Sequence, residues 1–269
     1  MTAWSFAQTL EAYQVWNARY STLGVKTLFV LRDRFQILKS RASTEDWLNT
    51  NRITQPVAFD QNGSLAESFG SAELPRLVIL ENGELVHNHA GADWLKDAEV
   101  SLGKILRKES PGLPLLRPWV GESLHPVDRT YHSTTLGGEL HELDGLEFVG
   151  RWHVEPTLVW TQDSDAKLHF RSPTSDLAIV AESMTEVRQP TVIRMSGVSS
   201  AISEDCAGED AVVDALGNLH ISVQRPRSFV VLKNLAPSNR ELIFSFPDAR
   251  ETPVGIHGFE FAQSAQIPS

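Results

Sequence analysis

The sequence predicts an α/β unit followed by an all-β sandwich, and three observations carry that reading. Helical and strand periodicities alternate over residues 1–108, and a proline-rich stretch breaks the pattern at 109–121. Residues 122–269 then hold about eight short β runs between turn signals, with no long helical pattern. A chain of 269 residues accommodates two domains of ordinary size.

In the first unit Phe6, Leu10, Tyr13, Trp16 and Tyr20 recur three and four residues apart, and Gly24 follows as a stop signal. Residues 2–20 therefore read as an amphipathic helix. Val25 to Leu31 reads as a strand, and Ser43 or Thr44 supplies an N-cap for a second helix. A short strand at 56–60, a brief helix at 65–69 and a strand at 76–80 come next. Asn82-Gly83 is a hairpin signal leading into a strand at 84–90, and a helix at 94–108 closes the unit.

Pro111, Gly112, Pro114 and Pro118 make a stiff, extended connector of residues 109–121. The β runs beyond it are 147–154, 166–171, 177–181, 191–195, 219–223, 228–232, 240–246 and 256–261. Short runs separated by turns suggest a sandwich or jelly roll over 122–269.

Composition removes several function classes. A formal charge of −10 repels a polyphosphate backbone, so nucleic acid is not an expected partner. No run approaches the roughly 18 apolar residues of a membrane span. The single cysteine, Cys206, excludes an intrachain disulfide and a Cys-rich zinc site, and its acidic neighbours disfavour a reactive thiolate. The first residues lack the basic and apolar regions of a secretory signal, which reads as cytoplasmic for the chain as written.

Thr9-Leu10 to Trp16, the helix end from Tyr20 to Gly24, Gln55 to Asp60 and Leu74-Pro75 to Leu85 follow one another in a characteristic order. Over residues 3–108 this resembles the thioredoxin-like fold of the TlpA and DipZ thiol-disulfide proteins. Leu146 to Trp152, Ala166 to Arg171, Leu177 to Ala181, Ser228 to Leu232 and Gly255 to Phe261 are similar to the jelly roll that follows the redox domain in DipZ-type proteins. That jelly roll is likened to carbohydrate-binding modules and galactose-binding-like domains.

The resemblance implies that Pro75 is a cis proline beside the redox site, and it places the family's Cys-x-x-Cys on Ala3-Trp4-Ser5-Phe6. Dithiol exchange needs a nucleophilic thiolate and a resolving thiol, and Ala3 and Phe6 supply neither. The same alignment leaves the central strand before the first helix missing. Three remedies present themselves: a start upstream of Met1, direct pairing of the flanking strands, or a segment from the linker or from a second subunit in a homo-oligomer. The resembled family is mostly extracytoplasmic.

Candidate sites are few. His87 and His89 stand two apart on a predicted strand and so share a face on which a metal is conceivable with Glu84 or Asp93; a polar edge-strand face is the simpler reading, and no metal is expected. His132, His141, His153 and His169, with Asp144, Glu147 and Asp163, hold no spacing of a triad or glycosidase pair. Trp119, Tyr131, Trp152 and Trp160 are candidates for an aromatic platform against pyranose rings, with Arg151, Asn218 and Arg225 as polar neighbours. Trp152 falls at the position of the resembled family's core tryptophan. That leaves Trp160, Tyr131 and Arg151 as ligand-binding candidates.

The expected function is that of a redox-inactive thioredoxin-like binding or scaffolding protein. Its sandwich recognises a glycan or a protein surface; the groove beside Pro75 could take an extended peptide near Trp4 and Phe6, but Phe6 plugging the former redox site as core is the simpler reading. No cofactor is expected. The alternative is a thiol-disulfide oxidoreductase of the TlpA/DipZ kind whose redox motif is lost or lies upstream of this start.

Overall fold

The structure is a computed structural model and describes residues 3–32, 37, 41–50, 52–54, 56–60, 62–70, 76–90, 94–109, 111, 129–136, 145–172, 174–185, 189–197, 202–233, 235 and 240–264. The chain divides into two compact units, the first drawn from residues 1–127 and the second mostly from residues 128–269.

The first unit holds α1 (Ala3–Tyr20), β1 (Phe29–Leu31), α2 (Arg41–Thr50), β2 (Val57–Phe59), α3 (Ser64–Ser68), β3 (Arg76–Glu81), β4 (Glu84–Ala90) and α4 (Trp94–Glu109). Ala98, Leu102 and Leu106 recur at helical spacing along α4 and meet Trp16 and Tyr20 of α1, with Leu77 and Ile79 of β3 packed against them. The Tyr20 hydroxyl donates to buried Glu99, which also pairs with Arg19 at 3.5 Å. Burial, and then the Glu99 carboxylate, push the Tyr20 phenol up from its ordinary value.

The thioredoxin-like α/β fold expected from the sequence is corrected by the strand pairing. Among the described residues β1 pairs with β2 in parallel and β3 with β4 antiparallel, as two separate two-stranded ladders. A thioredoxin-like fold joins such strands in one continuous sheet. Strands also outnumber α-helices sixteen to four among the described residues, so the protein is predominantly β. The local runs form helices and strands near the places their periodicities give, although α2 opens at Arg41 and takes the expected caps Ser43 and Thr44 inside it. Ladders, however, join only when a strand stands about 4.8 Å from both neighbours. No described strand bridges these two ladders. Without that sheet there is no thioredoxin-like gap for a second subunit of a homo-oligomer to complete.

The second unit is built from twelve strands among the described residues: β5 (Arg129–Thr135), β6 (Leu146–Val149), β7 (His153–Val154), β8 (Val159–Thr161), β9 (Lys167–Ser172), β10 (Asp176–Ser183), β11 (Thr191–Gly197), β12 (Ala211–Val213), β13 (Leu219–Val223), β14 (Arg227–Leu232), β15 (Arg240–Ser245) and β16 (Val254–Ser264). One sheet runs β14-β10-β16-β8-β7 with β5 also on β16; the other runs β12-β13-β11-β15-β9-β6. Inward residues alternate with outward ones, as in β13, where Leu219, Ile221 and Val223 are buried between His220 and Ser222. Ile179 and Phe259 of the first sheet share a core with Leu168, Phe170, Ile193, Met195 and Phe244 of the second.

The run 147–154, which reads as one strand in the sequence, is two. The chain turns at Gly150, so β6 belongs to one sheet and β7 to the other. Trp152 sits at this crossing and packs edge-on against Phe148 and Phe246 at 5.1 and 5.3 Å. Among the described residues, no helix is long and apolar enough to cross a membrane.

Candidate functional site

The most site-like arrangement in the second unit lies on the β7–β8 hairpin at the edge of the first sheet. Pro156 and Thr157 form its tip, and the Glu155 N–H donates to the Leu158 carbonyl at 2.9 Å. Val159 points inward and is fully buried, so by the two-residue period of a strand Trp160 faces away from the core.

Trp160 stands directly across from His153, and their rings stack at 4.0 Å with an interplanar angle of 13°. Its indole N–H donates to Glu155 Oε1 at 3.1 Å. On its other flank Trp160 pairs with Gly255 of β16, where the side chains of Met184 and Leu158 fill the space that a Cβ would take, Met184 Sδ at 2.8 Å and Leu158 Cδ1 at 3.3 Å. The half-buried indole is thus held by one ring face and by its N–H, with exposed His153 and Glu155 beside it.

Arg151 is tied to the base of the same hairpin. Its carbonyl accepts from buried Thr161 at 2.8 Å, and its backbone N–H and Nε both donate to Asp163 Oδ2. The Asp165 N–H, then that of Arg151, hold the Asp163 carboxyl below the usual carboxylate range. A depressed folded value means that the contribution of Asp163 to stability is present above about pH 3.9 and is lost as pH falls through the folded value. Accordingly, the melting temperature of Asp163→Asn should lie below that of the wild type at neutral pH. The gap should narrow as pH falls below about 4 in a thermal-melting series.

The other candidates fall elsewhere. Tyr131 lies in β5, but its side chain is outside the described residues, as are Trp119, His141, Asp144 and Pro75 and the side chains of Ala3, Trp4, Phe6 and His132. The backbone at Ala3 and Phe6 is helical, within α1. Asn218 and His220 bond the Asp214 carboxylate in the β12–β13 turn. His169 pairs with Glu241 at 2.6 Å, and Arg171 links Glu241 to Glu147, an ion network across β15, β9 and β6. Arg225 is placed in the turn between β13 and β14. Cys206 is half-buried against the sandwich core.

His87 and His89 do share a face of β4, with near-parallel rings 6.3 Å apart. His87 Nδ1 meets the Ser101 hydroxyl at 3.1 Å, and burial, then His89, lower its pKa. Among the described residues, no group of three or more His, Cys, Asp and Glu side chains is placed to hold a metal ion.

Glu155 is the site residue that sequence reasoning missed. Its signal lies in the turn: a two-residue Pro156-Thr157 tip pairs 155 with 158 and therefore 153 with 160, which would have set Glu155 beside Trp160.

No protein-family model and no curated protein matches this chain. Among solved structures, it is similar to a family two carbohydrate esterase from Cellvibrio japonicus, at 8% identity and a TM-score of 0.38, over 51% of this chain and 34% of that one. The corresponding esterase from Clostridium thermocellum, solved in complex with cellohexaose, matches at 15% identity and a TM-score of 0.33, over 46% of this chain and 34% of that one. A two-domain esterase active on acetylated mannans matches at 10% identity and a TM-score of 0.33, over 94% of this chain and 68% of that one. The matches span about a third of the length of the first two proteins, and the esterase activity belongs to those proteins. These neighbours are carbohydrate esterases and not thioredoxin-like proteins. The strand pairing corrects the resemblance to the TlpA and DipZ proteins, and with it both functional expectations drawn from that resemblance, the redox-inactive scaffold and the thiol-disulfide oxidoreductase.

Proposed function

We propose that the sandwich of this protein engages carbohydrate, with Trp160 as the ring contact and Glu155 and His153 at its rim. The observation that carries this reading is the Trp160 indole stacked on His153 at 4.0 Å while its N–H is held by Glu155. A pyranose presents an apolar face of C–H bonds ringed by hydroxyls. An indole face takes the first, and a carboxylate accepts from the second. Because the stack and the N–H bond already fix the indole, little side-chain freedom remains to be lost when a sugar docks.

Isothermal titration of the full chain with cello-, xylo- and manno-oligosaccharides, plain and acetylated, tests the reading. Trp160→Ala should weaken binding by about tenfold or more, and Trp160→Phe should retain part of it. Absence of binding across the panel, or full affinity in Trp160→Ala, would overturn the proposal.

A further inference from the structure

His257 is fully buried, an uncommon place for an imidazole without partners. It lies where the pairing of β16 with β10 shifts register: Val180 faces Gly258 and Ala181 faces Ile256, so His257 is the extra residue of a bulge. Its Nδ1 lies 3.2 Å from the carbonyl oxygen of Thr157 at the hairpin tip. Its Nε2 lies 3.0 Å from Oε1 of Glu182 on β10. A carbonyl and a carboxylate only accept, whereas a neutral imidazole donates from one nitrogen alone. Both bonds therefore exist together only when the His257–Glu182 pair carries one proton more than a neutral ring beside an ionised carboxylate.

We propose that His257 is a positioning residue for the Trp160 contact: the proton it shares with Glu182 locks the Thr157 turn, and with it Glu155 and Trp160, in the geometry that receives a ligand. The ligand half of this inference rests on the carbohydrate reading above; the turn lock does not. The other charged or titratable groups on the surrounding elements are His153 and Glu155 of the hairpin, buried Asp176 at the start of β10, which accepts from Ser175, and Glu260 further along β16, which accepts from Ser228. On β5, which pairs with β16, the side chains of Arg129, Tyr131 and His132 lie outside the described residues.

As pH rises and the shared proton leaves, one of the two bonds is lost and a nitrogen lone pair is left facing an acceptor oxygen. The turn then loosens. Glu182→Gln removes this dependence, because its amide N–H donates to Nε2 of a neutral ring while Nδ1–H remains on the Thr157 carbonyl. The lock is kept with no extra proton.

The test uses the full chain between about pH 5 and pH 9, with ring nitrogen NMR of His257, amide hydrogen exchange across residues 155–158, and titration with the same oligosaccharides. In the wild type the ring nitrogen shifts should show the shared proton at the acid end, on Nε2 or on Glu182 and bonded to Nε2, and its loss at the basic end. Exchange in the turn should then accelerate beyond its intrinsic pH dependence, and affinity should fall about tenfold, the equivalent of one hydrogen bond, as pH rises. In Glu182→Gln both profiles should be flat. Ring nitrogen shifts that do not change across the range, or the same pH profile in Glu182→Gln, overturn the inference. The ring spectrum needs no variant, so a Glu182→Gln chain that fails to fold does not shield it. Ring and exchange profiles as expected without any sugar binding overturn the carbohydrate reading and leave the turn lock standing.

Discussion

Phe259→Ala should cost the sandwich about 3–5 kcal/mol, a large part of the 5–15 kcal/mol typical of a folded domain. Phe259 is fully buried, stacks on Phe170 at 5.4 Å and tilts against Phe244 at 5.5 Å, so its ring joins the two sheets. Truncation removes the transfer free energy of the ring and leaves a void that the paired backbone of β10, β16 and β5 resists closing. Urea unfolding followed by circular dichroism should show a lower midpoint with an unchanged slope. Phe259→Leu, which refills most of the void, should lose much less. A loss below about 1 kcal/mol in the alanine variant would mean that the two sheets do not share this core.

Gly145→Ala should destabilise by about 2–4 kcal/mol, through conformation and contact together. Gly145 has φ of 92°, and a Cβ there would lie 2.4 Å from the carbonyl oxygen of Arg171. The obstructing atom is backbone, held because the Arg171 N–H donates to the Gly145 carbonyl at 2.7 Å, so no rotamer relieves the contact. Gly145→Asn separates the two causes. Asparagine tolerates positive φ better than alanine but carries the same Cβ, so it should be nearly as destabilised. Near-complete recovery in the asparagine variant would show that strain alone operates.

The individual elements were more legible in the sequence than their assembly. β13 coincides with its predicted run because Leu219, Ile221 and Val223 alternate strictly with polar neighbours. β5, with the composition Arg-Thr-Tyr-His-Ser-Thr-Thr, has no such alternation, and β8 and β12 are three residues each, too short for a period to show. Pairing was not legible. The order of runs in the first unit suggested one sheet, but which strands bond is decided by long-range contacts that no local pattern encodes. The same limit applied at the candidate site. Trp160 stood out as an aromatic residue beside a polar turn. His257 did not, since its partners lie 100 and 75 residues away and meet it only after β16 bulges.

β16 pairs with β10 on one side and, along successive stretches of its length, with β8 and β5 on the other. A strand made after all three is thus the seam on which they close. On a ribosome, β5, β8 and β10 must wait with unpaired edges until residues 254–264 clear the exit tunnel. During that interval the nascent unit is open to wrong pairing and to capture by chaperones. Synonymous codon changes that slow translation just before Val254 should therefore lower the yield of folded protein without altering the protein itself.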